Sequence, residues 1–211
     1  MRLTDLKTPL WILALSMTLL AGCANGPGTP SSQPTVDENG NRVRTPNPYL
    51  ADPVTVPSAA QSALVRARDF YQQEKFAAAE TELQQVVRQW PTLSGAWLNL
   101  AKVQLKLADT KSAEQSLTEA VTANPKNVFA WNSLGVLLRD QGRFAEAEKA
   151  YITAIEHWQD FPAAHRNLGI LYDLYLHMPK QALEHYRAAQ ELQVEEDRVL
   201  AGWILDLQRR M

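Results

Sequence analysis

The chain reads Trp97-Leu98-Asn99-Leu100-Ala101 and, thirty-four positions later, Trp131-Asn132-Ser133-Leu134-Gly135; a third copy, His165-Arg166-Asn167-Leu168-Gly169, follows at the same interval. Working outward, Ala67, Ala101, Gly135 and Gly169 hold one small phase. Ala79, Ala113 and Ala147 hold a second, with Leu83, Leu117 and Tyr151 as a large phase four residues on. This period is that of a helix–turn–helix unit, and one such unit cannot bury its apolar side alone, so copies stack into a solenoid. The expected fold class is therefore all-α, a solenoid of about four repeats with a C-terminal capping helix. Function is to be sought on surfaces rather than in an enclosed pocket.

Helical periodicity predicts pairs near residues 59–72 and 75–89, 94–106 and 110–122, 128–141 and 144–157, and 162–176 and 179–191. Pro91 and Asn124-Pro125 stop second helices, and Gly142 suits the left-handed residue of a tight turn. The repeats then occupy about 60–93, 94–127, 128–161 and 162–196, within a folded part that begins at 58. In the fourth, Ala182, Tyr186 and Ala189 fall one residue late, which reads as a single insertion in the Leu176-His177-Met178 turn, with Pro179 opening the next helix. Residues 197–211 place Val199, Leu200, Trp203, Ile204 and Leu207 on one helical side, as a capping helix needs.

The first third of the chain has a different character. Arg2 and Lys7 precede an apolar run from Pro9 to Leu20, too short for a stable membrane span, so residues 1–22 read as a secretory signal. The run ends in Leu20-Ala21-Gly22-Cys23, which resembles the lipobox of bacterial lipoproteins; the resemblance implies cleavage and acylation at Cys23, the only cysteine of the 211 residues. An accidental cysteine behind an ordinary signal or an uncleaved anchor is the competing reading. Acylation would fix the chain to a membrane. Ala24 and Asn25 follow without an aspartate, which by resemblance favours the outer membrane, facing the periplasm. Residues 24–57 carry seven prolines among mostly polar neighbours and are expected to form an extended, disordered tether. Fully stretched, it would reach about 110 Å. Tyr49 and Leu50 are the residues there with the apolar surface to dock.

Together, the repeated words, Asn124-Pro125 and Tyr172 resemble the tetratricopeptide repeat (TPR) family over about residues 60–195. The resemblance is weaker in the first repeat, where Ala63 and Arg66 stand at the Trp and Leu phases, and the third lacks the closing proline, with Gln159 in its place. It implies that the first helices of successive repeats line a concave groove that takes a peptide or partner helix. Carried over position by position, the groove is Arg68, Tyr71, Leu98, Asn99, Lys102, Lys106, Phe129, Asn132, Arg139, Arg166 and Asn167, with Gln61, Leu64, Leu105, Val136, Asp140, Ile170 and Asp173 beside them. Five of the seven charges on this face are basic, although removal of residues 1–22 leaves 19 basic and 22 acidic residues and a net charge of −3. That local reversal suits an acidic or amphipathic envelope-protein segment. The alternative is that Leu98, Val136 and Ile170 only pack adjacent repeats while the basic groups form a solvated face. Asn99 and Asn167 match the asparagine phase of the family's carboxylate clamp but its lysines and arginines are not matched, which argues against capture of a free C-terminal carboxylate.

Enzyme signatures are missing. The histidines 157, 165, 177 and 185 include no helical i, i+4 pair of the zinc-protease type, and no phosphate loop or serine-nucleophile motif occurs. His165 stands in a phase held elsewhere by Trp and reads as a packing residue. No metal, cofactor or small-molecule substrate is expected, and the slightly acidic balance argues against nucleic acid. The sequence thus reads as a membrane-anchored periplasmic adaptor for envelope assembly. The words 167–175 and Gly202-Trp203-Ile204 resemble TPR proteins accompanying TonB-type systems, with type IV pilus assembly, cell-wall hydrolase adaptors and direct peptidoglycan binding as the alternatives.

Overall fold

The computed structural model describes residues 38, 43–52, 54–193, 195 and 197–211. The expected signal, Cys23 and the first part of the expected tether lie outside the described residues. Those described form helices α1 (Pro48–Ala51), α2 (Ser58–Gln72), α3 (Phe76–Gln89), α4 (Ser94–Lys106), α5 (Thr110–Ala123), α6 (Val128–Asp140), α7 (Phe144–His157), α8 (Pro162–Ile170), α9 (Pro179–Glu191) and α10 (Arg198–Arg210), with no strand among them. Helices α2 to α9 pack as four consecutive pairs, each against the next, and α10 closes on α9. None of these helices is long and apolar enough to cross a membrane.

Local chemistry sets the helix ends. Asp109 and Asn127 accept from the amides of Ser112 and Ala130 at 3.0 and 3.1 Å, and Asp197 accepts from Val199 and Leu200. Each offsets donors that a helix start leaves unpaired, a contribution of about 1 kcal/mol per cap. Asn127 is fully buried, and its Nδ2 donates to Ser94 Oγ at 2.7 Å while that hydroxyl donates to Ala120 O. A buried polar group of this kind is tolerated because every atom has a partner, and here it also bolts the second repeat to the third.

Pairing within repeats is a matching of sizes. A Cβ built on Gly135 would lie 2.5 Å from Cε1 of Tyr151, and one on Gly169 would lie 2.5 Å from Cδ1 of Tyr186. In the first two repeats alanine stands at the glycine phase, and the buried residue opposite is the smaller Leu83 or Leu117. Two solutions, Ala with Leu and Gly with Tyr, therefore fill the same crossing at interior density.

Left-handed residues mark the turn inside every repeat: Glu74 (φ 58°), Ala108 (φ 60°), Gly142 (φ 76°) and His177 (φ 53°). Only the third is the glycine that sequence rules pick out. The extra residue of the fourth repeat does not enlarge the expected Leu176-His177-Met178 turn. It is absorbed just before it, as a π-helical turn over Leu171–Tyr175, with Leu176 N bonded to Leu171 O at 3.0 Å. Widening one turn takes up the extra residue while the helix stays hydrogen-bonded.

Part of the segment that composition assigns to the tether packs on the repeats. The amide and hydroxyl of Thr45 both donate to Asp160 Oδ2, the hydroxyl at 2.9 Å, and Trp158 Nε1 donates to Thr45 O at 2.9 Å. Farther along, the Tyr49 ring meets Phe129 edge-on at 6.2 Å, and Asp52 pairs with Lys126 at 2.6 Å. Residues 43–52 thus run as a strap from the start of α8 past the start of α6 towards that of α4, antiparallel to the order of the repeats. Its anchors lie 74 to 115 residues away in the chain, beyond the reach of composition or local pattern.

Candidate functional site

Helices α2 and α4 bring Arg68, Tyr71, Asn99 and Lys102 to one cavity of 320 Å³, floored by Leu64, Ala67, Leu83 and Val103. Helical spacing explains the grouping. Leu64, Ala67, Arg68 and Tyr71 lie three and four apart on α2, as do Asn99, Lys102 and Val103 on α4, so each set projects from one face. Ala67, Leu83 and Val103 are buried, Leu64 and Tyr71 half-buried, and Arg68, Asn99 and Lys102 exposed. Tyr71 is held by an edge-on contact with Phe76 at 5.4 Å. The result is an apolar floor under a basic rim.

The rim charges are available. Arg68 reaches only its neighbour Asp69, at 3.2 Å with both side chains about half exposed, a geometry worth little against solvent. Lys102 and Lys106 make no ion pair among the described residues. A second cavity of 290 Å³ adjoins, sharing Leu64 and Asn99 with the first and walled by Tyr49, Leu50, Val54, Val56, Leu93 and Ala96.

The other half of the expected groove is occupied by its own residues. Phe129 lies between Tyr49 and Phe161, whose ring is 5.4 Å away. Asn167 Nδ2 donates to Asn132 Oδ1 at 2.9 Å. The Arg139 side chain is 15 % exposed, paired with Asp140 at 2.9 Å and set over the Tyr175 ring. Arg166 is claimed by the capping helix, bonding Asp197 at 2.9 Å with its guanidinium 5.1 Å from the Trp203 ring centre. Leu98 faces inward and joins the core between the second and third repeats. Of the eleven groove residues expected from sequence, Arg68, Tyr71, Asn99 and Lys102 line the open cavity, Lys106 is exposed at the end of α4 outside its lining, and Leu98, Phe129, Asn132, Arg139, Arg166 and Asn167 are engaged within the chain. The reason is local: α10 and the strap supply an acid and two aromatic rings to positions that an inner repeat would leave open. Leu50, Val54 and Val56 were absent from the expected set, and Leu50 alone carried a signal, as an apolar residue in a polar tether.

No group of three or more His, Cys, Asp or Glu residues placed to hold a metal occurs among the described residues. A larger cleft of 750 Å³ lies between α3 and α5, where Arg88 and Lys111 stand with Glu114 and Glu119 and leave no dominant sign of charge. At its base Gln104 is committed to Glu80 and Ser116.

A family profile described as a tetratricopeptide repeat-like domain matches residues 53–167. No curated protein has a sequence that matches significantly. Among solved structures, Pseudomonas aeruginosa PilF superposes with a TM-score of 0.65 at 21% identity, covering 72% of this chain and 69% of that one. MamA from Desulfovibrio magneticus RS-1 gives 0.63 at 14% identity, covering 74% and 87%. YrrB, described as a TPR protein with an unusual peptide-binding site, gives 0.58 at 24% identity, covering 71% and 75%. Similarity at these identities speaks to the fold alone.

Proposed function

Because the chain belongs to the tetratricopeptide repeat-like domain family, we propose that it is a protein-interaction scaffold whose open half-groove grips an acidic, partly apolar segment of an envelope protein. One observation carries this reading. In a chain of net negative charge, Arg68 and Lys102 rim an apolar cavity without strong partners, while Arg139 and Arg166 farther along the same face are neutralised from within. Exposed cations, one of them only weakly paired and the other without an ion pair among the described residues, beside a half-buried Tyr71 and Leu64 offer an incoming segment both charge complementarity and an apolar anchor point.

The reading extends to the membrane through the sequence. Leu20-Ala21-Gly22-Cys23, with its single cysteine, supports acylation, and the residues after it support the outer membrane. The scaffold would then hold its partner at that membrane, in a TonB-type or pilus-assembly system according to what the partner is. A photo-crosslinking residue placed at Lys102 in living cells is expected to capture one envelope protein, and the same residue at the exposed Lys149 of α7 none. Equal capture at both positions contradicts the groove. Labelled palmitate is expected to enter the chain and to be lost in Cys23→Ser; its failure to enter contradicts the anchor.

A further inference from the structure

We infer that the strap and the residues just after it are part of the binding site: Leu50, Val54 and Val56 wall a second anchor pocket, so the partner is an acidic segment with two apolar side chains, one for each cavity. The inference rests on the proposed groove and adds to it residues outside the repeats.

Three observations carry it. First, the two cavities adjoin, with Leu64 and Asn99 lining both. A segment lying across Leu64 drops one side chain beside Tyr71 and another beside Leu50, and the Asn99 amide lies between them within reach of its backbone. In an extended segment, alternate side chains point the same way about 7 Å apart, so the anchors are separated by one or three residues, and a spacing of two sends them to opposite faces. Second, the strap and the stretch after it present apolar side chains outward, with Leu50 65 % and Val54 51 % exposed. Neither side chain anchors the strap, which is held by Thr45, Tyr49 and Asp52. Third, the strap is fixed in advance: the Tyr49 ring packs edge-on against Phe129 with its hydroxyl close to Gly95, and Asp160, Trp158 and Lys126 hold Thr45 and Asp52. A strap already ordered costs the partner little entropy on binding. Charge selects the occupant, because the adjoining rim holds Arg68 and Lys102, and the strap's own acid, Asp52, is already paired with Lys126.

The test uses the full-length chain and fluorescein-labelled nonapeptides of Asp and Ser carrying either one leucine or two leucines separated by one, two or three residues. The best two-leucine peptide is expected to bind about tenfold more tightly than the one-leucine peptide, the gain of one buried aliphatic anchor. In the doubly substituted Leu50→Ser, Val54→Ser chain that advantage is expected to vanish while the one-leucine affinity stays. No gain from the second leucine, or an equal gain in the substituted chain, overturns the inference and leaves the proposed function standing. Absence of peptide binding altogether, or binding that Lys102→Glu does not weaken, overturns both.

Discussion

His165 donates its Nε2 proton to the carbonyl oxygen of Gln159 at 3.0 Å, the same bond six residues back that Trp97 makes to Pro91 at 2.8 Å and Trp131 to Pro125 at 2.9 Å. The histidine thus reproduces the indole N–H of the other repeats. Because the carbonyl can only accept, the neutral ring keeps Nδ1 as an acceptor, and His185 Nδ1, 3.0 Å away, must be the donor. A further proton on His165 would set two donors against each other, whereas one on His185 would enter at Nε2, where burial opposes the charge.

Acid should therefore loosen the fourth repeat. Burial first, and the neighbouring His165 second, push His185 from 6.5 down to about 4. Its folded-state value is depressed, so the contribution is complete above pH 6.5 and is lost as the pH falls towards 4, where the unfolded chain has bound the proton and the folded chain has not. Up to about 3 kcal/mol is at stake. Urea midpoints at pH 7 and pH 4.5 should differ less in His185→Gln, which keeps an N–H donor and does not titrate; an unchanged difference contradicts this account.

The glycine and tyrosine pairs predict a change of sign. Gly135→Ala drives a methyl group to 2.5 Å from the Tyr151 ring and is expected to cost roughly 1–2 kcal/mol after the helix preference of alanine is counted. In a Tyr151→Leu background, which restores the Ala and Leu match of the first two repeats, the same change should stabilise by about 1 kcal/mol. A double-mutant cycle on unfolding free energies measures it, and additivity would sink the size-matching explanation.

Ala108 sits at φ 60°, a conformation that side chains other than glycine's disfavour by about 1 kcal/mol. Ala108→Gly is expected to raise stability by about 0.5–1 kcal/mol, and Gly142→Ala at the equivalent turn to lower it by about 1 kcal/mol. Paired denaturation curves suffice; destabilisation by Ala108→Gly is the contrary result.

Gly95→Ala tests the strap without disturbing the core, since the added methyl would lie 2.8 Å from the Tyr49 hydroxyl and within 4 Å of no other atom outside its own neighbourhood. Exchange of the Tyr49, Leu50 and Ala51 amides, all bonded to Asn47, should quicken by about tenfold or more while α6 is unaffected. Unchanged exchange would mean that Tyr49 does not hold the strap.

The repeats were legible because each depends on residues three, four or thirty-four apart, intervals that a linear reading samples directly. Even the one-residue slip at Ala182 was visible; its placement was not, because a π turn at Leu171–Tyr175 and a longer turn at Leu176 leave the same spacing downstream. The groove was half legible. Helical spacing puts Lys102 and Arg139 one turn apart in phase on first helices, at the places of Val136 and Leu105, but whether a cation is free depends on what the rest of the chain brings to it. Tyr175 and Asp197 arrive from the fourth repeat and the cap. The strap was the least legible, as Thr45 carries no pattern that points to Asp160.

The central claim is that only the open half of the inner face grips a partner. The most direct measurement is the affinity of the captured envelope segment for two variants of the full-length chain, Arg68→Glu with Lys102→Glu, and Arg139→Gln with Arg166→Gln. The account predicts a loss of at least about tenfold in the first pair and a change within about twofold in the second. Equal losses in both, or a loss confined to Arg139 and Arg166, would contradict it.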